Sequence, residues 1–191
     1  MVLTKSVMLD LGTAIPPFTL PSVTTGEALT VDKVKGEHGL LVMFICAHCP
    51  YVKHVQVELA KLGNEYHKKG LGVIAISSND SETHPDDAPP KLKEMSDKLG
   101  FAFPFAFDES QDVAKAFKAA CTPDFFLFDK NLTLVYRGQL DDSRPSNGVE
   151  PNGADLRKAI DAVLSGKKPS EEQKSSVGCN IKWKSGNQPS Y

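Results

Sequence analysis

The 191-residue chain has no apolar run of bilayer length, no internal repeat, no surplus of basic charge and only four cysteines. A spanning helix needs about 20 apolar residues, and the unbroken apolar run Gly39–Ile45 is far shorter. Met1 to Leu11 carries one lysine and a short apolar run closed by Asp10, which falls short of the apolar region of a secretory signal. These features set the expectation of a cytoplasmic chain with no membrane partner. Twenty-two basic against 24 acidic residues leave a net charge of −2, which excludes the basic footprint of a nucleic-acid binder. Four cysteines without an export signal read as redox or metal chemistry rather than a disulfide scaffold. What remains, 40% hydrophobic and 24% charged residues, is ordinary globular material. The length suits one domain with an appendage, read as residues 1–168 and a C-terminal tail, 169–191, packing on the same domain.

The chain is organised around residues 39–69. Gly39–Ile45 has the length and branched content of a buried parallel strand. Cys46-Ala47-His48-Cys49-Pro50 follows. Beyond it Val52, Val55, Leu59, Leu62 and Tyr66 recur at steps of three and four, with Lys53, Glu58, Lys61 and Lys68 opposite. That pattern predicts a surface helix with one apolar stripe. Pro50 suits the first helical position, where its missing N–H costs nothing. Cys49 then lies at the helix N-cap, against unpaired amides and the positive end of the helix dipole. Both favour the thiolate, which is the reactive form.

Around this unit, residues 12–36 carry alternations at Phe18/Leu20 and Leu29/Val31 about Thr24–Glu27, predicting a hairpin laid on the sheet edge. Gly70 suits a helix C-terminus, and Leu71–Ser77 a second buried strand, which completes a right-handed βαβ unit. Ser78–Pro90 is a polar loop leaving the carboxyl end of that strand, where open α/β sheets bind ligands; a solvated connection and a substrate-facing loop are both open. Further on the pattern predicts a helix at 89–99, an edge segment at 101–107 and a helix at 108–120 with Val113 and Phe117 inward. An antiparallel hairpin of 125–128 with 132–136, a loop at 141–153 and a helix at 155–164 follow. Cys179 sits in the polar tail, which Ile181 and Trp183 should dock.

Hairpin, β, α, β, α, short β, α, β, β, α is a thioredoxin-like order. Four segments carry a closer resemblance: Phe44–Val52, Cys121–Asp129, Gly138–Pro145 and Gly178–Lys184. They resemble the thioredoxin-domain proteins of the AhpC/TSA, or redoxin, group over nearly the whole chain. The resemblance implies an α/β thioredoxin-like fold: a central mixed sheet flanked by helices, with an N-terminal hairpin and a C-terminal tail. It also implies thiol-based redox activity and a cis Pro123 abutting the reactive cysteine. Two departures stand out. Val52 occupies the place of the second cysteine of a thioredoxin, and Cys46 the place of the Thr or Ser that precedes a peroxidatic cysteine.

The expected site therefore has Cys49 as nucleophile and Cys46 as its first-choice disulfide partner, with Cys179 second and Cys121 also a possible resolving thiol. His48, Pro50, Thr122, Pro123 and Arg137 are expected to bind substrate or tune the thiol; for Arg144 a loop ion pair is the stronger expectation. The leading function is thiol–disulfide oxidoreductase, with a peroxidase acting through a Cys49 sulfenic acid as the alternative. The substrate would be a disulfide or hydroperoxide and the electron donor an external thiol; a homodimer is open, and neither cofactor nor nucleic acid is expected. A metal-binding module using Cys46, His48, Cys49 and His54 is the third reading, but the spacing matches no zinc pattern.

Overall fold

The computed structural model describes residues 3–191. Five strands form the central sheet in the order β6-β5-β4-β8-β9. They are β4 (Gly39–Phe44), β5 (Gly72–Ser77), β6 (Phe105–Phe107), β8 (Asp124–Asp129) and β9 (Leu134–Gly138). β4, β5 and β6 run parallel; on the other side of β4, β8 runs antiparallel to it and β9 antiparallel to β8. This is the mixed sheet of a thioredoxin-like fold. Every residue of β4 and β5 is buried, which explains why both read as continuous apolar runs.

The two faces of the sheet build two cores. Leu41, Met43 and Ile45 meet α2 (Pro50–Lys68) and α5 (Ala154–Leu164) through Leu59, Leu62, Leu156 and Ile160. On the other face Phe117 packs edge-on against Phe44, Phe126 and Phe128 at 5.5, 5.6 and 5.9 Å between ring centres, an arrangement aromatic quadrupoles favour. The expected hairpin is β2 (Thr19–Pro21) with β3 (Ala28–Thr30). It lies on the exposed edge of β6, through the Ser22–Ala106 bridge and a Val23 N–H to Phe105 O bond of 2.8 Å.

Four features differ from the sequence pattern. Val31 opens a short helix, α1 (Val31–Val34), instead of extending the hairpin. Glu58 is buried rather than solvated, because Arg157 of α5 reaches it at 2.7 Å and also takes Glu65 at 2.6 Å. The helix expected over 108–120 shrinks to α4 (Asp112–Ala116). Asp108, its expected first residue, is fully buried and uses its carboxylate to accept the Ala114 N–H at 2.9 Å and the Ser78 hydroxyl at 2.8 Å. Lys118 takes a positive φ of 51°, which ends the helical path. Last, residues the sequence left unstructured form a second sheet. β10 (Val177–Asn180) runs antiparallel between β1 (Leu3–Lys5) and β7 (Cys121–Thr122). The remaining helix, α3 (Pro89–Leu99), is where the pattern put it.

Candidate active site

The turn from β4 into α2 sets the site. Pro50 is the first helical residue and Cys49 the N-cap, in extended backbone at φ −66°, ψ 124°. The thiol of Cys49 is fully buried. Its sulfur lies 3.2 Å from the Thr122 carbonyl oxygen and 2.7 Å from the Cys179 sulfur. Cys46, at the end of the apolar run, turns its sulfur to within 3.4 Å of the Thr122 hydroxyl. The Thr122–Pro123 peptide is cis. Three segments far apart in sequence thus converge: the β4–α2 turn, β7 with Pro123, and β10. All four cysteines are free and buried.

The neighbours separate these thiols chemically. The Cys46 thiol, hydrogen-bonded to Cys49, pulls the Cys49 pKa down to about 4 against the opposing effect of burial, and the Cys179 thiol and Val52 backbone amide lower it further. Burial and the adjoining Cys49 charge push Cys46 well up. The proton of the pair therefore rests on Cys46, which acts as donor to a Cys49 thiolate. Burial pushes Cys179 up to about 12, with the Cys49 charge adding to it. Cys121 faces the Pro123 carbonyl oxygen at 3.7 Å, and burial holds it well above the ordinary thiol range.

His48 does not turn to Cys49. Its Nδ1 pairs with Asp87, a fully buried carboxylate in the 3₁₀ turn Pro85–Asp87. Asp87 also accepts the backbone N–H groups of Ala47 and His48 at 2.8 and 3.0 Å, and the Asn79 side-chain amide at 2.8 Å. Burial would raise its pKa, but the His48 and Asn79 bonds outweigh this and lower it. Asn79 in turn accepts the Lys182 N–H at 2.8 Å, just beyond β10. The loop after β5 therefore faces the site, clamping the Cys46–Cys49 turn and linking it to the tail. Asp87 was missed because the loop holds several acids and no local pattern singles it out.

Other expected residues lie elsewhere. Arg137 gives its backbone N–H and guanidinium to Gln173 Oε1 at 3.0 and 2.9 Å, so it is no part of the sulfur cluster. Arg144 binds within its own loop, to the carbonyls of Asp141 and Ser143 and to Gln139 Oε1. Among the described residues the closest set of metal-type donors is Cys46, His48 and Asp87, within 4.8 Å of one another. Both Asp87 oxygens are already engaged as above. His54 is not in that set; its Nε2 is buried without a partner, beside a small cleft lined by Tyr51, Pro123 and Ser143.

The family model described as Redoxin matches residues 10–155. An uncharacterized conserved protein from Geobacillus kaustophilus, solved by crystallography, is 50% identical over 96% of this chain and 97% of its own, with a TM-score of 0.94. The thioredoxin domain of a thiol-disulfide oxidoreductase from Bacteroides vulgatus is 20% identical, covers 68% of this chain and 88% of its own, and superposes with a TM-score of 0.55; it shares the fold. The thiol-disulfide oxidoreductase ResA of Halalkalibacterium halodurans is 24% identical over 110 residues, 58% of each chain. The chain thus spans little more than half the length of that curated relative.

Proposed function

The chain belongs to the Redoxin family, and from that premise we propose that it is a thiol–disulfide oxidoreductase with Cys49 as nucleophile. The observation that carries this reading is the buried Cys49 sulfur at the α2 N-cap, beside the cis Thr122–Pro123 peptide and 2.7 Å from the Cys179 sulfur; the neighbouring Cys46 thiol depresses its pKa. At neutral pH the sulfur is a thiolate. It attacks one sulfur of a substrate disulfide, the S–S bond breaks, and the departing thiolate takes a proton from water. An external thiol returns the protein to its reduced state. Cys46 has the role of hydrogen-bond donor in this scheme: its buried, weakly acidic thiol keeps its proton beside the charge. The 24% sequence identity to the thiol-disulfide oxidoreductase ResA over 110 residues supports the same class of reaction.

Stopped-flow mixing of the reduced protein with bis(2-hydroxyethyl) disulfide and, separately, hydrogen peroxide tests the reading. The disulfide is expected to oxidise the protein faster than peroxide, and Cys49→Ser to lower that rate by at least roughly 10³-fold, as loss of a nucleophile does. Faster oxidation by peroxide, ending in a sulfenic acid at Cys49, would replace the reading with a peroxidase.

A further inference from the structure

We infer that Cys179, carried into the site by the C-terminal strand β10, is the resolving thiol that attacks the Cys49 mixed disulfide; this rests on the oxidoreductase reading above. The inference stands first on contact. The two sulfurs are 2.7 Å apart, although 130 residues separate them in the chain. β10 holds Cys179 there by pairing it opposite Thr122 and Asn180 opposite Cys121. Gly178 makes the approach possible: a Cβ at that position would fall 2.0 Å from the Thr122 carbonyl oxygen, closer than any side chain tolerates. On the outer side β1 pairs with the same strand, Leu3 opposite Cys179.

Cys46 is the less suitable resolver although it is nearer in sequence. It sits on the same buried turn as Cys49, its sulfur is directed to the Thr122 hydroxyl, and its proton serves the thiolate. Cys179 is differently placed. Apart from burial, what holds its proton is the Cys49 charge, while Lys182 acts the other way. Formation of the mixed disulfide removes that charge, so Cys179 becomes more acidic at the step in which it must react.

Cys49 thiolate and RSSR′ give Cys49–S–S–R and R′S⁻, which takes a proton from water. Cys179–SH then attacks the Cys49 sulfur; the bond to R breaks, a Cys49–Cys179 bond forms, and the Cys179 proton leaves with RSH. The substrate gains two electrons and the two protein sulfurs lose them. Both sulfurs are covered, with 0% and 1% of Cys49 and Cys179 exposed. An external disulfide therefore reaches Cys49 only when β10 draws back, and the return of the strand delivers the resolving thiol.

The test uses the full chain, reduced and then mixed with bis(2-hydroxyethyl) disulfide, with release of mercaptoethanol followed and the products alkylated and digested without reductant. Cys46 and Cys49 share one tryptic peptide, residues 36–53, so Cys46→Ser assigns the linkage. Wild type is expected to release two thiols per chain and to join residues 36–53 to the Cys179 peptide; Cys46→Ser, slower because the native donor to Cys49 is lost, should end in the same linkage. Cys179→Ser should release one and stop at the Cys49 adduct, with the second release slowed by roughly 10²-fold or more, the scale of a lost, positioned reactant. Circular dichroism of Cys179→Ser, matching wild type, certifies its fold; if it is altered, the wild-type and Cys46→Ser peptide maps decide alone. An internal Cys46–Cys49 bridge with Cys179 alkylated, or an unchanged second release from folded Cys179→Ser, would overturn the inference and leave the oxidoreductase reading intact. Absence of thiol release from wild type, or release from Cys49→Ser at the wild-type rate, would overturn both.

Discussion

The oxidised protein should unfold at a temperature on the order of 10 °C above the reduced protein. A Cys49–Cys179 bond would close a loop whose ends are 130 residues apart. Restricting the unfolded chain over such a loop stabilises the fold by up to about 5 kcal/mol in the loop-entropy relation, whereas a bridge between residues 46 and 49 would give about 2 kcal/mol. For a chain of this size each kcal/mol moves the midpoint by about 2–4 °C. Calorimetry of both redox forms reads the gap, and in Cys179→Ser it should vanish. A gap that persists in that variant would assign the stabilisation to another bond.

The second large effect concerns Asp124, which follows the cis proline and enters the sheet opposite Phe44. Its carboxyl is completely buried and one of its oxygens, Oδ1, has no partner. Burial pushes its pKa up to about 7, against weaker lowering by the Ser6 hydroxyl and the Ala120 and Phe125 amides. Cys121 and Tyr191 are the titratable groups that feel its charge, and it raises both. The folded value lies above the unfolded value of about 3.9, so the folded state binds the extra proton. Stability is therefore greatest below about pH 4 as far as this group is concerned, and it is lost as the pH rises toward about 7. Three units correspond to about 4 kcal/mol. Asp124→Asn, neutral at every pH, should abolish this decline, so that wild type and variant diverge progressively in urea unfolding between about pH 4 and pH 7. Parallel pH profiles for the two proteins would show that the buried carboxyl is not the titrating group.

The sequence disclosed those parts of the site that follow from local chemistry. Proline after cysteine at the end of an apolar run, followed by a three-and-four stripe, is enough to place Cys49 at a helix start, and α2 begins at Pro50. The sheet was legible for the same reason: β4 and β5 are buried on both faces and must read as continuous apolar runs. Non-local pairing was not legible. β10 is Val-Gly-Cys-Asn, four residues with no alternation, and its partners β1 and β7 lie far back in the chain. Proximity in sequence favoured Cys46 as partner, and nothing local announced that β10 brings the Cys179 sulfur to 2.7 Å from Cys49. Charged residues misled in both directions. Glu58 looked solvent-facing until Arg157 came from α5, and Asp87 was one acid among several until its place under His48 gave it a role. Arg137, chosen as a cation for the thiolate, finds Gln173 instead.

Cys49 is expected to be the thiolate of this site. This is tested most directly by the ultraviolet thiolate absorbance of the reduced protein, titrated with pH as the difference between wild type and Cys49→Ser. A single thiolate is expected, with a midpoint well below the ordinary cysteine value of about 8.5, near the value of about 4 to which the Cys46 thiol brings it. A difference signal that appears only at about pH 8 or above, or an acidic thiolate that survives in Cys49→Ser, would contradict it.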